Sequence, residues 1–182
     1  MKEIVVVAMI GAVVGIVFML WSNLYLPLMP VLGPVGIEIL YGMYFLPGIM
    51  IMYIVRKPGA AVLGSLIAAL ISTLAGSPFG FVNVVIAGLI QGAAPEFVFF
   101  LRGYKKFDLS TMLLAGVFTA IAIFVRDFFV FGYGAFPGQV LLGMIVVRMI
   151  SGALIAGLLC KFIADALQKT GVLANFSIAR NE

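Results

Sequence analysis

Five ionisable side chains lie within apolar stretches of this chain: Glu38, Glu96, Arg126, Asp127 and Arg148. A charge in hydrocarbon costs a few kcal/mol on insertion scales, so such groups face a bundle interior or a cavity. There they pair with one another or hold a ligand, and both uses are open to each of them from sequence alone. Around Glu38 the chain reads EILYGMYF (38–45). At 100° per residue Glu38, Tyr41 and Phe45 share a helix face, with Tyr44 beside Tyr41. A carboxylate, a phenol and stacking rings suit a flat heterocycle with amine or cationic groups. An interfacial aromatic belt with a hydrated glutamate is the other reading.

Residues 82–101 add Asn83, Gln91, Pro95 and Glu96. Pro95 has no N–H to give the carbonyl of Gln91, which leaves that oxygen free within the membrane. Gly88, Gly92 and Glu96 recur every four residues and form a narrow stripe open to another helix or a ligand. Arg126 and Asp127 precede a run of aromatics and glycines through Tyr133 to Gly138, a sticky rim. Arg148 lies inside the last apolar stretch. Catalysis is not expected. The chain has no histidine, its lone cysteine is Cys160, and it lacks G-x-x-x-x-G-K-[ST]. No metal site and no cofactor are expected either.

The elements that must position these groups follow from composition. The chain is 64% hydrophobic and 10% charged, with a mean hydropathy of +1.26, which is the composition of an integral membrane protein. A bilayer needs about 20 apolar residues per helix. Six segments qualify, at roughly 4–22, 36–54, 59–76, 82–101, 110–131 and 138–164. The expected fold is all-α: a six-transmembrane-helix bundle forming one integral membrane domain over 1–182. The connections at 23–35, 77–81 and 132–137 carry no Lys or Arg. The opposite ends carry Lys2, Arg56, Lys57, Arg102, Lys105, Lys106, Lys161, Lys169 and Arg180. The positive-inside rule then puts both termini in the cytoplasm, with a tail at about 169–182. The net charge of +4 is accounted for by topology, so no nucleic-acid partner is implied.

The first apolar run is too long for a signal peptide and lacks a small-residue cleavage site, so it is expected to remain as the first helix. The uncharged stretch NLYLPLMPVLGPV (23–35) is longer than a minimal connection and reads as an outer loop, either a lid or a segment lying on the membrane. Ala8-x3-Ala12 and Gly11-x3-Gly15 let a helix approach closely, within the bundle or from a separate membrane subunit.

These features together resemble the substrate-binding S-component of an energy-coupling factor (ECF) vitamin transporter, and within that group the YkoE type, assigned to thiamine or its hydroxymethylpyrimidine precursor. The resemblance rests on EILYGMYF (38–45), VRKPGAAV (55–62), IAGLIQGAAPEFVF (86–99), Asp127 followed by FGYGAF (131–136), and VRMISGALIAGLL (147–159). It implies capture of a vitamin from outside, with the first outer loop closing over it. Docking on a transmembrane T-component driven by two ATPases, and tilting of the whole S-component, would follow. By the resemblance, Glu38, Tyr41, Gln91, Glu96 and Asp127 would hold substrate, joined from the residue reading by Tyr44, Asn83, Tyr133 and Arg148. Ala8, Gly11, Ala12 and Gly15 would serve docking. Another vitamin such as cobalamin, or a stand-alone secondary transporter or channel, stays open. Against the last of these, no internal repeat is seen.

Overall fold

The computed structural model describes residues 2–171, 173 and 176–180, with backbone alone for residues 2–8, 10, 179 and 180. The described residues are all-helical: α1 (Lys2–Gly36), a 3₁₀-helix (Ile37–Phe45), α2 (Leu46–Val55), α3 (Ala60–Leu74), α4 (Phe81–Leu101), α5 (Leu109–Val130), α6 (Gly138–Ser151), a π-helical segment (Gly152–Leu159), α7 (Cys160–Lys169) and α8 (Ser177–Arg180). Among them, Gly11–Val55, Phe81–Leu101, Leu109–Val130 and Gly138–Lys169 are long and apolar enough to cross a membrane, while Ala60–Leu74 is a shorter apolar helix.

The stretch expected to be a loop, 23–35, is instead helical almost to its end. Pro27 and Pro30 lie inside α1, and the chain turns at Gly33 (φ 67°, ψ 178°), a conformation that favours glycine. The physical reason lies in the solvent. With no water to hydrogen-bond an open backbone, the helix is the lowest-cost conformation even across proline. Beyond Gly33 the chain folds back on α1. Trp21 Nε1 donates to the carbonyl of Leu40 at 3.1 Å and Tyr44 Oη to Ser22 Oγ at 3.1 Å, which locks the two arms together.

The 38–45 stretch is also not α-helical. It forms a 3₁₀-helix, in which residues three apart eclipse one another. Glu38, Tyr41 and Tyr44 therefore line up along one side, replacing the α-helical set that would have included Phe45. The last helical rod is longer than expected and reaches Lys169, widened in its middle by the π-helical segment.

Glycine sets the distances between rods. A Cβ on Gly116 of α5 would run into the carbonyl of Gly152, and one on Gly157 would meet the backbone of Met112 and Leu113 at 2.8–2.9 Å. Gly88 and Gly92 of α4 press on α3 at Ala69 and Val62. The glycine stripe read in α4 is thus a helix–helix seam. Pro95 is treated alike: Gly48 of α2 packs beside it and beside the Gln91 carbonyl. Backbones approach this closely because lipid supplies no hydrophobic drive, and van der Waals contact must replace it.

At the other end of the bundle, α5 starts at Asp108. Its carboxylate accepts from Thr111 Oγ1 at 2.6 Å and Thr111 N at 2.9 Å, bonds that lower its pKa to about 2. The terminal segment packs rather than trailing free: Leu173, Phe176 and Ile178 are buried in the same core as α2, and Gln168 Nε2 donates to the Ile178 carbonyl at 2.9 Å. Residues 172, 174, 175, 181 and 182 of the expected tail lie outside the described residues.

Gly116→Val should force α5 off the π-helical segment and lower stability by about 1–3 kcal/mol, read as a fall in the unfolding midpoint in detergent. Asp108→Ala should lose the cap, about 0.5–2 kcal/mol. Because the folded pKa is depressed, the wild-type cap contribution is present at neutral pH and fades as pH falls from about 4 towards 2.

Candidate functional site

Arg148, fully buried on α6, is the centre of the site. Its Nε and Nη2 both donate to the Glu38 carboxylate, Nη2 at 2.8 Å to Oε1, and Nη1 donates to Asp127 Oδ2 at 2.8 Å. A longer bond of 3.3 Å runs from Nη2 to Tyr133 Oη. The guanidinium lies 3.7 Å above the Tyr41 ring, and Tyr41 Oη donates to Asp127 Oδ2 at 2.6 Å. Asp127 takes a further bond at 2.7 Å from Arg126 Nη1, whose Nη2 reaches the Asn83 carbonyl at 3.2 Å. Two carboxylates thus face two guanidinium groups, and the cluster is electrically neutral. Such a network is tolerated in a low-dielectric interior when every member is paired.

The local fold builds this geometry. The 3₁₀ pitch stacks Glu38 over Tyr41, and Ser151 fixes the 3₁₀-helix against the last rod, accepting from Gly42 N at 2.9 Å and donating to the Ile39 carbonyl at 2.6 Å. Asp127 sits in the last turn of α5, where the bend towards Tyr133 begins.

Two cavities flank the cluster, separated by a wall of tyrosines. Tyr25 touches Tyr41 and Tyr44 edge-on, with ring centroids at 5.9 and 6.0 Å. The larger cavity, about 410 Å³, is bounded by Tyr25, Met29, Pro30, Glu38, Tyr133, Phe136 and Met144. The smaller, about 70 Å³, has Ser22, Tyr44, Ser72, Ser77, Asn83 and Gln91 on its walls. Asn83 Oδ1 and Arg126 Nε, both buried atoms, have no hydrogen-bond partner among the described residues. A ligand or water in the smaller chamber can satisfy the Asn83 oxygen there.

Of the residues read from sequence, Glu38, Tyr41, Asp127, Tyr133 and Arg148 meet directly, and Tyr44, Asn83 and Gln91 line the adjoining chamber. Glu96 is not brought to them. It lies where α3 begins, its Oε1 accepting from Gly59 N at 2.6 Å and Tyr104 Oη at 2.8 Å, its Oε2 from Ala61 N at 3.0 Å. The two amides are orphan donors of a helix N-terminus, so Glu96 acts there as a cap, with the Tyr104 phenol as a further partner. The small-residue stripe of α1 divides as well. Gly11 packs on Ile67 and Gly15 on Ile71 and Ala68 of α3, so these two are buried within the bundle. Ala12 is half-buried, and the side chain of Ala8 lies outside the described residues. Tyr25 was missed because it falls where a loop was expected, and Ser22 because it closes the first expected helix as a small polar residue. Their one-turn spacing in an apolar run was the available signal. Among the described residues no three His, Cys, Asp or Glu side chains converge.

A glycine-seamed bundle of apolar helices, with a buried charge cluster beside tyrosine-walled cavities, has the build of a membrane-embedded binding subunit. A family model described as the permease component of an ABC-type cobalt transport system matches residues 2–122. The putative HMP/thiamine permease protein YkoE of Bacillus subtilis (strain 168) is 40% identical over 179 residues, 98% of this chain and 89% of that protein. A crystal structure of an S-component of an ECF transporter superposes with a TM-score of 0.95 at 39% identity, covering 99% of this chain and 91% of the other. The chain belongs to the YkoE family of ECF-transporter S-components.

Arg148→Met would leave two buried carboxylates without their shared partner and should destabilise the fold by about 3–5 kcal/mol. Arg148→Lys should not rescue it, because a point charge cannot reproduce the forked bond to Glu38. Thermal unfolding of the purified variants in detergent reads both.

Proposed function

We propose that this chain captures thiamine or its hydroxymethylpyrimidine precursor at the cluster end of the bundle and delivers it for ATP-driven uptake. In this reading the chain is a single integral membrane domain. Counting the two arms of Gly11–Val55 separately and including α3 gives six crossings. Both termini then face the cytoplasm of a prokaryotic cell, in its plasma membrane. The charge distribution supports this orientation, since the connections at 75–80 and 131–137 lack Lys and Arg while the opposite ends are basic. A transmembrane T-component and two ATPase subunits complete the transporter.

The observation that carries the reading is the pairing of a cavity of about 410 Å³ with a polar chamber across the tyrosine wall. Aromatic faces suit a pyrimidine ring, and the amides of Asn83 and Gln91 match its alternating donors and acceptors. The neutral cluster contributes no excess charge, so a neutral pyrimidine leaves the balance intact. A thiazolium adds one positive charge, which the faces of Tyr25 and Tyr133 can meet by cation–π attraction. The relative named an HMP/thiamine permease supports the same ligand class. The α1 segment through Met29 and Pro30 borders the larger cavity and is the part of the chain placed to cover a bound ligand.

Mass spectrometry of the small molecule that copurifies should identify a thiamine-related compound. In calorimetry, Asn83→Ala or Gln91→Ala should weaken binding about tenfold, or 1.4 kcal/mol, with the unfolding midpoint little changed. Absence of heat with every thiamine-related compound would overturn the ligand assignment and leave the family standing. Docking is tested separately. Ala8→Leu with Ala12→Leu should preserve binding and abolish uptake by the assembled transporter, and unchanged uptake would remove α1 from the docking surface.

A further inference from the structure

Between α4 and α5, at the ends opposite the charge cluster, runs a groove of about 250 Å³. Val98, buried, lies at its base, and Leu101, Leu114 and Phe118, all exposed, border it. At its mouth stands Arg102, where α4 ends. Nothing among the described residues takes the Arg102 side chain into a hydrogen bond or ion pair. The carboxylate close enough to feel its charge, Asp108, already accepts from Ser110 and twice from Thr111 as the cap of α5. Exposed Lys105 and Lys106 follow in the same connection, adding positive charge at this boundary.

A slot of this kind matches a lipid of one particular chemistry. The apolar walls accept a hydrocarbon chain, and basic residues between membrane helices on the cytoplasmic side attract anionic headgroups. We propose that the α4–α5 groove retains one acyl chain of an anionic phospholipid whose phosphate lies against Arg102. The site is on a different part of the surface from the vitamin cavities and shares no residue with them.

The test is native mass spectrometry of the full chain, released from nanodiscs containing equal parts phosphatidylglycerol and phosphatidylcholine. One phosphatidylglycerol should stay bound. Arg102→Ala should lower that retention about fivefold, roughly 1 kcal/mol for one interfacial cation, and Arg102→Lys should keep most of it. Val117→Trp, which fills the groove and leaves the cation in place, should lower retention as much. Equal retention of both lipids, or wild-type retention in Arg102→Ala and Val117→Trp, overturns the proposal. So does a loss caused only by Lys105→Ala with Lys106→Ala, which would mean diffuse surface charge. Val117→Trp that keeps its lipid but blocks assembly of the transporter would assign the groove to a partner helix and likewise end the proposal. Thiamine binding by the same variants, followed calorimetrically, should stay at the wild-type level, so the two readings fail independently.

Discussion

The structure depends most on a guanidinium with no access to water. Arg148 can exist as a cation in the bundle only because Glu38 and Asp127 neutralise it and Tyr41 covers one of its faces. The two carboxylates come from different elements, and each is fixed in turn: Glu38, like Tyr41, by the 3₁₀-helix, Asp127 by the last turn of α5 and by Arg126, the 3₁₀-helix itself by Ser151. Loosening any of them exposes an uncompensated charge to a low dielectric, which makes the arrangement all-or-none. A neutral cluster of this kind also sets the character of the neighbouring cavities. They are polar at their edges without carrying net charge, and rings such as Tyr25, Tyr44, Phe79 and Tyr133 form part of their walls.

Around this cluster the bundle is held by contact of backbone with backbone. Gly116 against Gly152, Gly92 against Val62 and Gly15 against Ala68 let rods meet at distances that side chains would forbid. Glycine is a poor helix former in water, yet inside the membrane the alternative to a helix is an unsatisfied peptide group, and the propensity matters little. Glycine therefore acts here as a packing residue. The same reasoning explains why prolines at 27, 30 and 95 reside within helices.

Much of this was legible in the sequence. Hydropathy located the rods to within a few residues for α3, α4 and α5, and the rarity of charge in apolar segments singled out Glu38, Asp127 and Arg148 before any geometry was known. Three things were not legible. Whether Ile37–Phe45 winds with three residues per turn or 3.6 depends on its contacts with the last rod, which no local pattern encodes. The helical path of residues 23–32 runs against proline's usual meaning, because that meaning was learned in water. Glu96 shared the rarity that marked the cluster residues, but rarity signals a need for partners without naming them. Its partners are the free amides where α3 begins and the Tyr104 phenol.

The 3₁₀-helix also governs reach. It rises about 2.0 Å per residue against about 1.5 Å for an α-helix, so its nine residues cover about 18 Å where α-helical winding would cover about 13.5 Å. The chain crosses the same thickness with three fewer residues than a regular rod would need. The stretch is in effect drawn out, and Glu38 marks its far end. Were it to relax to the commoner pitch, it would contract by about one helical rise of three residues. The carboxylate would then be withdrawn along the rod from the guanidinium that holds it, so the bond between Glu38 and Arg148 favours the longer rise per residue.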